Sequence, residues 1–199
     1  MDEALASFAT NVWQSPRQPW PGYGIYLGDG KVVTAAHVVG SRNIGNPSVT
    51  IGGRDFEATI ARMGEFEGVD LALLAVDPRQ LPAEIGLLKK SLCDAAPIPG
   101  QDVVVAIPGA VAHSRILSPN ALPLGVPLRF DTLIADVATT GNSGSGVFDA
   151  RTQCLMGIMS RKISRWSMPQ GEGGLKFRLE DVAKYFVPAT QIRAFLRGE

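Results

Sequence analysis

The sequence predicts an all-β fold, a barrel or a sandwich, for most of its 199 residues. Short β-branched and aliphatic runs recur along the chain. Each is bounded by glycine, proline, asparagine or aspartate, as is typical of strands joined by tight turns. The 22 glycines and 14 prolines are spread throughout the chain. With 45% hydrophobic residues, the chain is long enough to bury a core in one or two compact units.

The first segment is predicted to form a short amphipathic helix. Leu5, Phe8 and Val12 recur at helical spacing, and Asp2 and Glu3 lie at the end where the helix dipole favours carboxylates. A connector rich in proline and tryptophan follows. The first set of predicted strands is Gly24–Leu27, Lys31–Thr34, Ser48–Ile51, Phe56–Ala61 and Leu71–Val76.

Residues 78–100 are rich in proline, and we interpret them as a linker with one helical turn at Leu87–Ser91. Thr190 is predicted to cap a final helix whose apolar stripe includes Ile192 and Phe195. Between linker and helix, the second set of predicted strands is Asp102–Ile107, Arg115–Leu117, Leu128–Ile134, Gly146–Phe148, Leu155–Ser160 and Lys184–Val187.

Three segments carry residues suited to nucleophilic catalysis, in the order His37, Asp70 and Ser143. Glycines on both sides of Ser143 allow a sharp turn that exposes its hydroxyl. The backbone N–H groups of Gly141 and Ser143, on either side of Asn142, can then point at one spot and hold an oxyanion. A serine hydroxyl needs a base to take its proton, and the base needs an acid to fix its tautomer.

Each of these positions has rivals. His113 lacks the β run and small-residue turn that precede His37. Ser145 is the rival nucleophile. Three other aspartates are candidates for the acid, although only Asp70 opens a long apolar run after a glycine; they are Asp55, Asp77 and Asp136.

The segments Thr34-Ala-Ala-His37, Asp70-Leu-Ala-Leu-Leu and Gly141-Asn-Ser-Gly144 resemble the three signatures of trypsin-like serine proteases. Within that superfamily the chain is most similar to the bacterial HtrA/Deg and glutamyl-endopeptidase-like branch. The resemblance covers roughly residues 20–197. It implies two six-stranded antiparallel β-barrels, with a short N-terminal helix and a C-terminal helix. Residues 1–85 would hold the first barrel and 86–199 the linker, the second barrel and the last helix, together one protease domain.

The resemblance also implies roles for single residues. Ser143, directly after Asn142, would be the nucleophile, His37 the base and Asp70 its orienting acid; Ser160 would brace Asp70. No cofactor would be needed, and the partners would be protein or peptide substrates. Asn142 is neutral, which implies a site assembled without cleavage at the N-terminus.

The same resemblance places a substrate pocket beside the nucleophile. Apolar side chains on its floor and wall predict a preference for small to medium aliphatic residues before the cleaved bond. Asp136 could instead favour basic residues, and Lys162 acidic ones. The long polar segment 161–183 is predicted to be a mobile loop. The pocket residues are Val137, Ala138, Thr139, Met159, Ser160, Arg161 and Lys162.

Composition excludes several other functions. The formal net charge is zero, which gives no electrostatic footprint for nucleic acid, and no apolar run approaches the length of a membrane helix. Cys93 and Cys154 are expected to be free buried thiols, with one bridge between them as the alternative. Two cysteines and two histidines scattered along the chain argue against a structural zinc site.

The acidic start Met1-Asp2-Glu3 lacks the features of a signal peptide. It predicts a cytoplasmic protein if the chain is full length, and an extracytoplasmic one if the chain is a trimmed HtrA-like domain.

The leading hypothesis is therefore a serine endopeptidase. A catalytically silent relative that binds peptides or scaffolds a complex is the alternative. An esterase with an α/β-hydrolase fold is excluded by chain order, because that fold places its serine before the acid and the histidine.

Overall fold

The fold of the protein consists of two β-sheets. The computed structural model describes residues 2–40, 46–122, 132–135, 143–167 and 178–198. Within these ranges the predicted all-β fold of two units is confirmed. Within the same ranges, no helix has both the length and the apolar character needed to span a membrane.

The first sheet has seven strands: β1 (Ala9–Trp13), β2 (Gly22–Gly28), β3 (Lys31–Thr34), β4 (Ser48–Ile51), β5 (Arg54–Glu57), β6 (Thr59–Met63) and β7 (Ala72–Ala75). Their order is β5-β4-β1-β2-β3-β7-β6. The end strands β5 and β6 are separated only by Ala58, whose N–H donates to the Pro47 carbonyl at 2.9 Å. The two edges of the sheet are therefore consecutive in the chain. β5 and β6 together correspond to one bent strand of the predicted six.

The second sheet is a closed barrel of six strands: β8 (Asp102–Ile107), β9 (Ala110–Leu117), β10 (Leu133–Ile134), β11 (Gly146–Asp149), β12 (Leu155–Ser167) and β13 (Arg178–Pro188). The order around the barrel is β10-β13-β12-β11-β8-β9, and all neighbours are antiparallel. Each of the six strands therefore has a hydrogen-bonded neighbour on both sides over at least part of its length.

The N-terminal helix is shorter than predicted. Only Asp2–Phe8 is helical, as a 3₁₀ helix, and the chain then enters β1. β1 lies between β2 and β4 and makes ladder hydrogen bonds with both. The apolar residues at positions 5, 8 and 12 fit either structure, and pairing on both edges favours the strand.

The two ends of the segment 161–183, predicted to be a mobile loop, are strands instead, because β12 continues to Ser167 and β13 begins at Arg178; residues 168–177 lie outside the described residues. In its described part, the two antiparallel strands carry both buried and exposed residues. Ile163 and Ala183 are buried, whereas Ser164 and Asp181 form a cross-strand hydrogen bond of 2.8 Å on an exposed side.

The linker and the last helix differ from the prediction in detail. The linker contains a 3₁₀ turn, Pro78–Gln80, and a helical turn α2 (Ala83–Gly86), earlier in the chain than expected. The final helix α3 (Ala189–Arg197) buries Ile192 and Phe195 as predicted. Thr190 does not cap it: the capping position is Pro188, and no side chain caps the first turn.

The expectation of two free thiols is wrong, because Cys93 and Cys154 form a disulfide. Their 61-residue separation hides the contact from sequence reasoning. Leu92 pairs with Leu155 in a parallel bridge, and the Cys93 N–H donates to the Leu155 carbonyl at 2.9 Å. This pairing brings the linker alongside the start of β12 and places the two sulfur atoms together.

One apolar cluster packs the two sheets against each other. It joins Ile25, Val33 and Leu71 of the first unit to Val104 and Phe148 of the second. All five side chains are completely buried. Leu71 directly follows Asp70, and Val33 and Phe148 lie in the strands next to His37 and Ser143 in the chain, so this shared core holds the three segments together.

Candidate active site

His37 lies on a single helical turn, α1 (Ala36–Val39), which follows β3. The buried Ala35 and Ala36 precede it, as the small-residue turn in the sequence predicted. Gln14 supports the turn, because its side-chain amide donates to the Val38 carbonyl at 2.7 Å. The His37 side chain is 30% exposed, so the imidazole reaches the surface while its backbone is held.

Asp70 is buried and receives three hydrogen bonds. Its Oδ2 lies 2.8 Å from His37 Nδ1 and accepts from Ser160 Oγ at 2.5 Å, and its Oδ1 accepts from the His37 N–H at 3.1 Å. Burial by itself would raise the pKa of this carboxyl. The hydrogen bonds from His37 and Ser160 outweigh burial and hold the pKa of Asp70 below its ordinary value. Asp70 is therefore an anion that fixes the orientation of the imidazole.

Ser143 is held between the two sheets. Its carbonyl accepts from the Tyr23 N–H of β2 at 3.1 Å, and the next N–H, that of Gly144, donates to the Met159 carbonyl of β12 at 2.8 Å. Gly144 has φ +88°, and a Cβ on it would lie 1.7 Å from the Tyr23 carbonyl oxygen. Only glycine allows this approach.

The Ser143 hydroxyl donates to the Ser160 carbonyl at 3.2 Å. Ser143, Ser160 and His37 line one cavity of about 660 Å³. The described residues that complete the lining come from both units: Gln14, Gln18, Trp20, Pro21, Gly22, Val38, Arg161, Lys162, Asp181 and Lys184.

Two charged groups in this lining pair with each other, and a third contacts an aromatic residue outside it. Lys162 Nζ lies 2.9 Å from Asp181 Oδ2, and the hydrogen bond from Lys162 lowers the pKa of Asp181. The guanidinium of Arg161 lies 4.1 Å from the centre of the Phe66 ring and donates to the Phe66 carbonyl. Lys184 is buried in the wall.

The rival residues lie elsewhere. His113 is on β9, 3.6 Å from Asp2, and Asp77 pairs with Arg79. Asp55 accepts a hydrogen bond from Thr50, and Ser145 is completely buried. Asp136, the remaining rival, lies outside the described residues.

Part of the predicted oxyanion hole and pocket also falls outside the described ranges. Of the pocket residues inside them, Met159 is fully buried in the core of the second barrel, and Ser160, Arg161 and Lys162 line the cavity. The predicted residues that are not described are Gly141, Asn142, Val137, Ala138 and Thr139.

Sequence reasoning missed two contributors to the site. Gln14 lies in the proline-rich connector, and Phe66 lies in the turn before Asp70; neither belongs to a motif. Phe66 contacts the His37 ring edge-on, with ring centres 5.2 Å apart. Among the described residues, no group of three or more His, Cys, Asp or Glu side chains is placed to hold a metal ion.

Comparison with protein families gives one match. The model of the trypsin-like peptidase domain matches residues 22–158, which include His37, Asp70 and Ser143. Comparison with curated proteins finds no match.

Solved structures with the same fold include bacterial proteases. The MamO protease domain from Magnetospirillum magneticum is 23% identical, with a TM-score of 0.65 and 98% of each chain covered. The active form of the Rv3671c protease from M. tuberculosis is 21% identical, with a TM-score of 0.66, covering 98% of this chain and 81% of that one. The serine endoprotease from Yersinia pestis is 19% identical, with a TM-score of 0.64, covering 99% of this chain and 64% of that one. At these identities the likeness shows the shared fold.

Proposed function

The chain belongs to the trypsin-like peptidase family of serine proteases, and from this premise we propose that it is an endopeptidase with Ser143 as nucleophile, His37 as general base and Asp70 as the acid that orients His37. The observation that carries the proposal is the buried Asp70 carboxylate, bonded to His37 Nδ1 at 2.8 Å. His37 and Ser143 line the same cavity beside it.

The reaction follows the general logic of a serine nucleophile. Ser143 Oγ attacks the carbonyl carbon of the peptide bond, and its proton passes to His37 Nε2. The backbone N–H groups of Gly141 and Ser143 hold the oxyanion that forms. His37 then returns the proton to the leaving amine, and water hydrolyses the acyl-enzyme through the same base.

One rearrangement precedes attack. The Ser143 hydroxyl donates to the Ser160 carbonyl at 3.2 Å, so rotation about its side-chain bond must direct it toward His37. The hydrogen bond given up is one between neutral groups, whose net contribution is about 1 kcal/mol. This cost is small beside the barrier that an enzyme lowers.

We propose a preference for small to medium aliphatic residues before the cleaved bond. The expectation depends on Val137 and Ala138, which the resemblance places on the floor of the pocket. The pairing of Lys162 with Asp181 supports it, because the cation that could have attracted an acidic side chain is already balanced.

A fluorophosphonate probe tests the proposed chemistry. The wild-type protein should be labelled at Ser143 and should cleave a casein-type substrate. Ser143→Ala should remove both signals while leaving the thermal transition within about 2 °C, because the hydroxyl is at the surface of the cavity. His37→Ala should be nearly as inactive, since nucleophile and base act as one unit.

Absence of both labelling and cleavage in the folded wild-type protein would contradict the proposal. That result would instead favour a silent relative that binds peptides or scaffolds a complex. Labelling that persists in Ser143→Ala would place the nucleophile elsewhere.

A further inference from the structure

The loop that ends at Asp70 also carries an aromatic residue that reaches the imidazole. This loop connects β6 to β7. The Gly64 N–H donates to the Leu71 carbonyl at 2.8 Å, and the Gly68 N–H donates to the Glu65 carbonyl at 3.0 Å. These bonds close the loop on itself, so Phe66 and Asp70 are held in a fixed relation.

Phe66 and Asp70 contact His37 in different ways. Asp70 binds Nδ1, which fixes one edge of the imidazole but allows the ring to tilt about that bond. The Phe66 ring lies edge-on to the imidazole at 78°, with centres 5.2 Å apart. This is the favoured geometry for an aromatic pair. The contact restricts the tilt that the hydrogen bond leaves open.

Phe66 is itself held from the other barrel. Its side chain is 43% exposed, so burial does not fix it. Arg161 stacks its guanidinium on the ring at 4.1 Å and donates to the Phe66 carbonyl. Arg161 lies on β12, so its contact with Phe66 connects the second barrel to the loop that carries the acid.

A β-bulge explains how consecutive residues of β12 reach the same loop. The register against β13 shifts between Met159 and Arg161, which leaves Ser160 without an opposite partner. Neighbouring residues of a regular strand point to opposite faces, whereas a bulge re-aims the extra residue. Ser160 therefore binds Asp70 while Arg161 binds Phe66.

We propose that Phe66 and Arg161 are positioning residues: Arg161 holds Phe66, and Phe66 holds the His37 ring in the orientation that accepts the Ser143 proton. The inference rests on the proposed triad. The proposal predicts that substitutions of either residue lower the rate of the chemical step. Residues that contact the substrate directly would instead affect substrate binding.

The test separates kcat from KM on a peptide that the wild-type protein cleaves. Phe66→Leu keeps an apolar side chain but removes the ring, and should lower kcat by between ~10- and ~100-fold, the size expected for a misplaced catalytic group. KM should stay within about twofold. Phe66→Tyr, which restores the ring, should recover most of kcat. Trp166→Leu is the matched control, because Trp166 is an exposed aromatic on β12, and it should not change kcat.

Arg161 supplies the second arm. Arg161→Lys keeps the charge but loses the planar stack, and should lower kcat in the same direction as Phe66→Leu. Because Arg161 acts through Phe66, the double variant should be no worse than Phe66→Leu alone. Additive losses in kcat, or a rise in KM with kcat unchanged, would overturn the proposal and assign the pair to substrate binding.

A readout without catalysis separates this inference from the proposed function. Phe66→Leu should shift the ring-proton NMR signals of His37, identified by comparison with His113→Gln, because the aromatic neighbour is lost. Unchanged His37 signals in folded Phe66→Leu would overturn the positioning role even if the wild-type protein proved inactive. Equal rates of fluorophosphonate labelling in the wild-type protein and in Phe66→Leu would overturn the positioning role while leaving the proposed triad in place.

Discussion

At the scale of single residues, Asp70 combines burial with a full set of hydrogen bonds. Only 1% of the residue is exposed, yet its carboxylate is bonded by two groups of His37 and by Ser160. A buried charge is costly unless donors compensate for lost water. These donors come from α1 and β12, so the ionised state of Asp70 depends on both units being folded together.

The lowered pKa of Asp70 predicts a pH dependence of stability. A carboxyl whose pKa is lower in the folded than in the unfolded state stabilises the fold when it is ionised in both. That contribution is present above the ordinary value of 3.8 and is lost as pH falls through the folded value. The difference in unfolding free energy between wild type and Asp70→Asn should therefore be largest above pH 3.8 and shrink below it. Urea unfolding of both proteins from about pH 3 to about pH 6 measures this difference in free energy. A difference that grows as the pH falls would contradict the prediction.

Gly144 carries a second prediction at this scale, because its neighbourhood has no room for a side chain. Gly144→Ala should cost more than the ~1–3 kcal/mol of a strained backbone, and should abolish activity by displacing Ser143. Gly100→Ala is the matched control, since Gly100 has nearly the same φ, +87°, and a Cβ added there would have nothing within 4 Å. Equal losses of unfolding free energy in the two variants would show that crowding by Tyr23 is not the cause.

At the scale of elements, the disulfide joins the linker to the start of β12. A cross-link stabilises mainly by limiting the unfolded chain, and the 61-residue separation corresponds to about 4 kcal/mol in that account. Replacing Cys93 and Cys154 by serine should lower the unfolding free energy by ~2–4 kcal/mol. Activity at temperatures well below the transition should persist, because neither cysteine lines the cavity.

Thiol titration and reduction supply the controls for the disulfide. The denatured wild-type protein should show no free thiol before reduction and two after it. Reductant should lower the stability of the wild type toward that of the double serine variant and leave the variant unchanged. Two thiols without reduction would mean that the bridge does not form.

Strands were predictable from the sequence where residues are β-branched and bounded by turns, as in Lys31–Thr34 and Ser48–Ile51, which the structure gives with the same bounds. The parts of β12 and β13 beyond Ser160 could not be predicted in this way, because they gain their stability from cross-strand pairs between polar residues. The N-terminal helix was predicted too long for another reason. Apolar residues at positions 5, 8 and 12 fit the spacing of a helix, whereas hydrogen bonding to β2 and β4 on both edges favours a strand for β1.

At the scale of the whole molecule, the site depends on contacts that cross between the two units. The motifs identify which residue types are present, but the approach of Tyr23 to Ser143 and of Arg161 to Phe66 follows from how the sheets pack. Such contacts join positions about a hundred residues apart and have no local pattern. The candidate residues could therefore be named from the sequence, whereas their supports could not.

Substrate preference is the property that this packing should control. Cleavage of a mixed peptide library should show small to medium aliphatic residues before the cut bond, and each methylene gained or lost should change kcat/KM only ~10- to 200-fold. Dominant cleavage after Arg or Lys, or after Asp or Glu, would contradict the aliphatic preference without touching the proposed triad.

The Lys162–Asp181 pair should contribute to the aliphatic preference, because its two opposite charges balance each other on the wall of the cavity. Lys162→Ala leaves Asp181 without that cation, and should raise cleavage after Arg and Lys by ~2- to 5-fold, the scale of an exposed ion pair. Asp181→Ala should shift preference toward acidic residues. Lys89→Ala, which removes a similar surface pair with Asp29 at 3.3 Å, should leave the profile unchanged. Identical profiles for all three variants would show that the pair does not face the substrate.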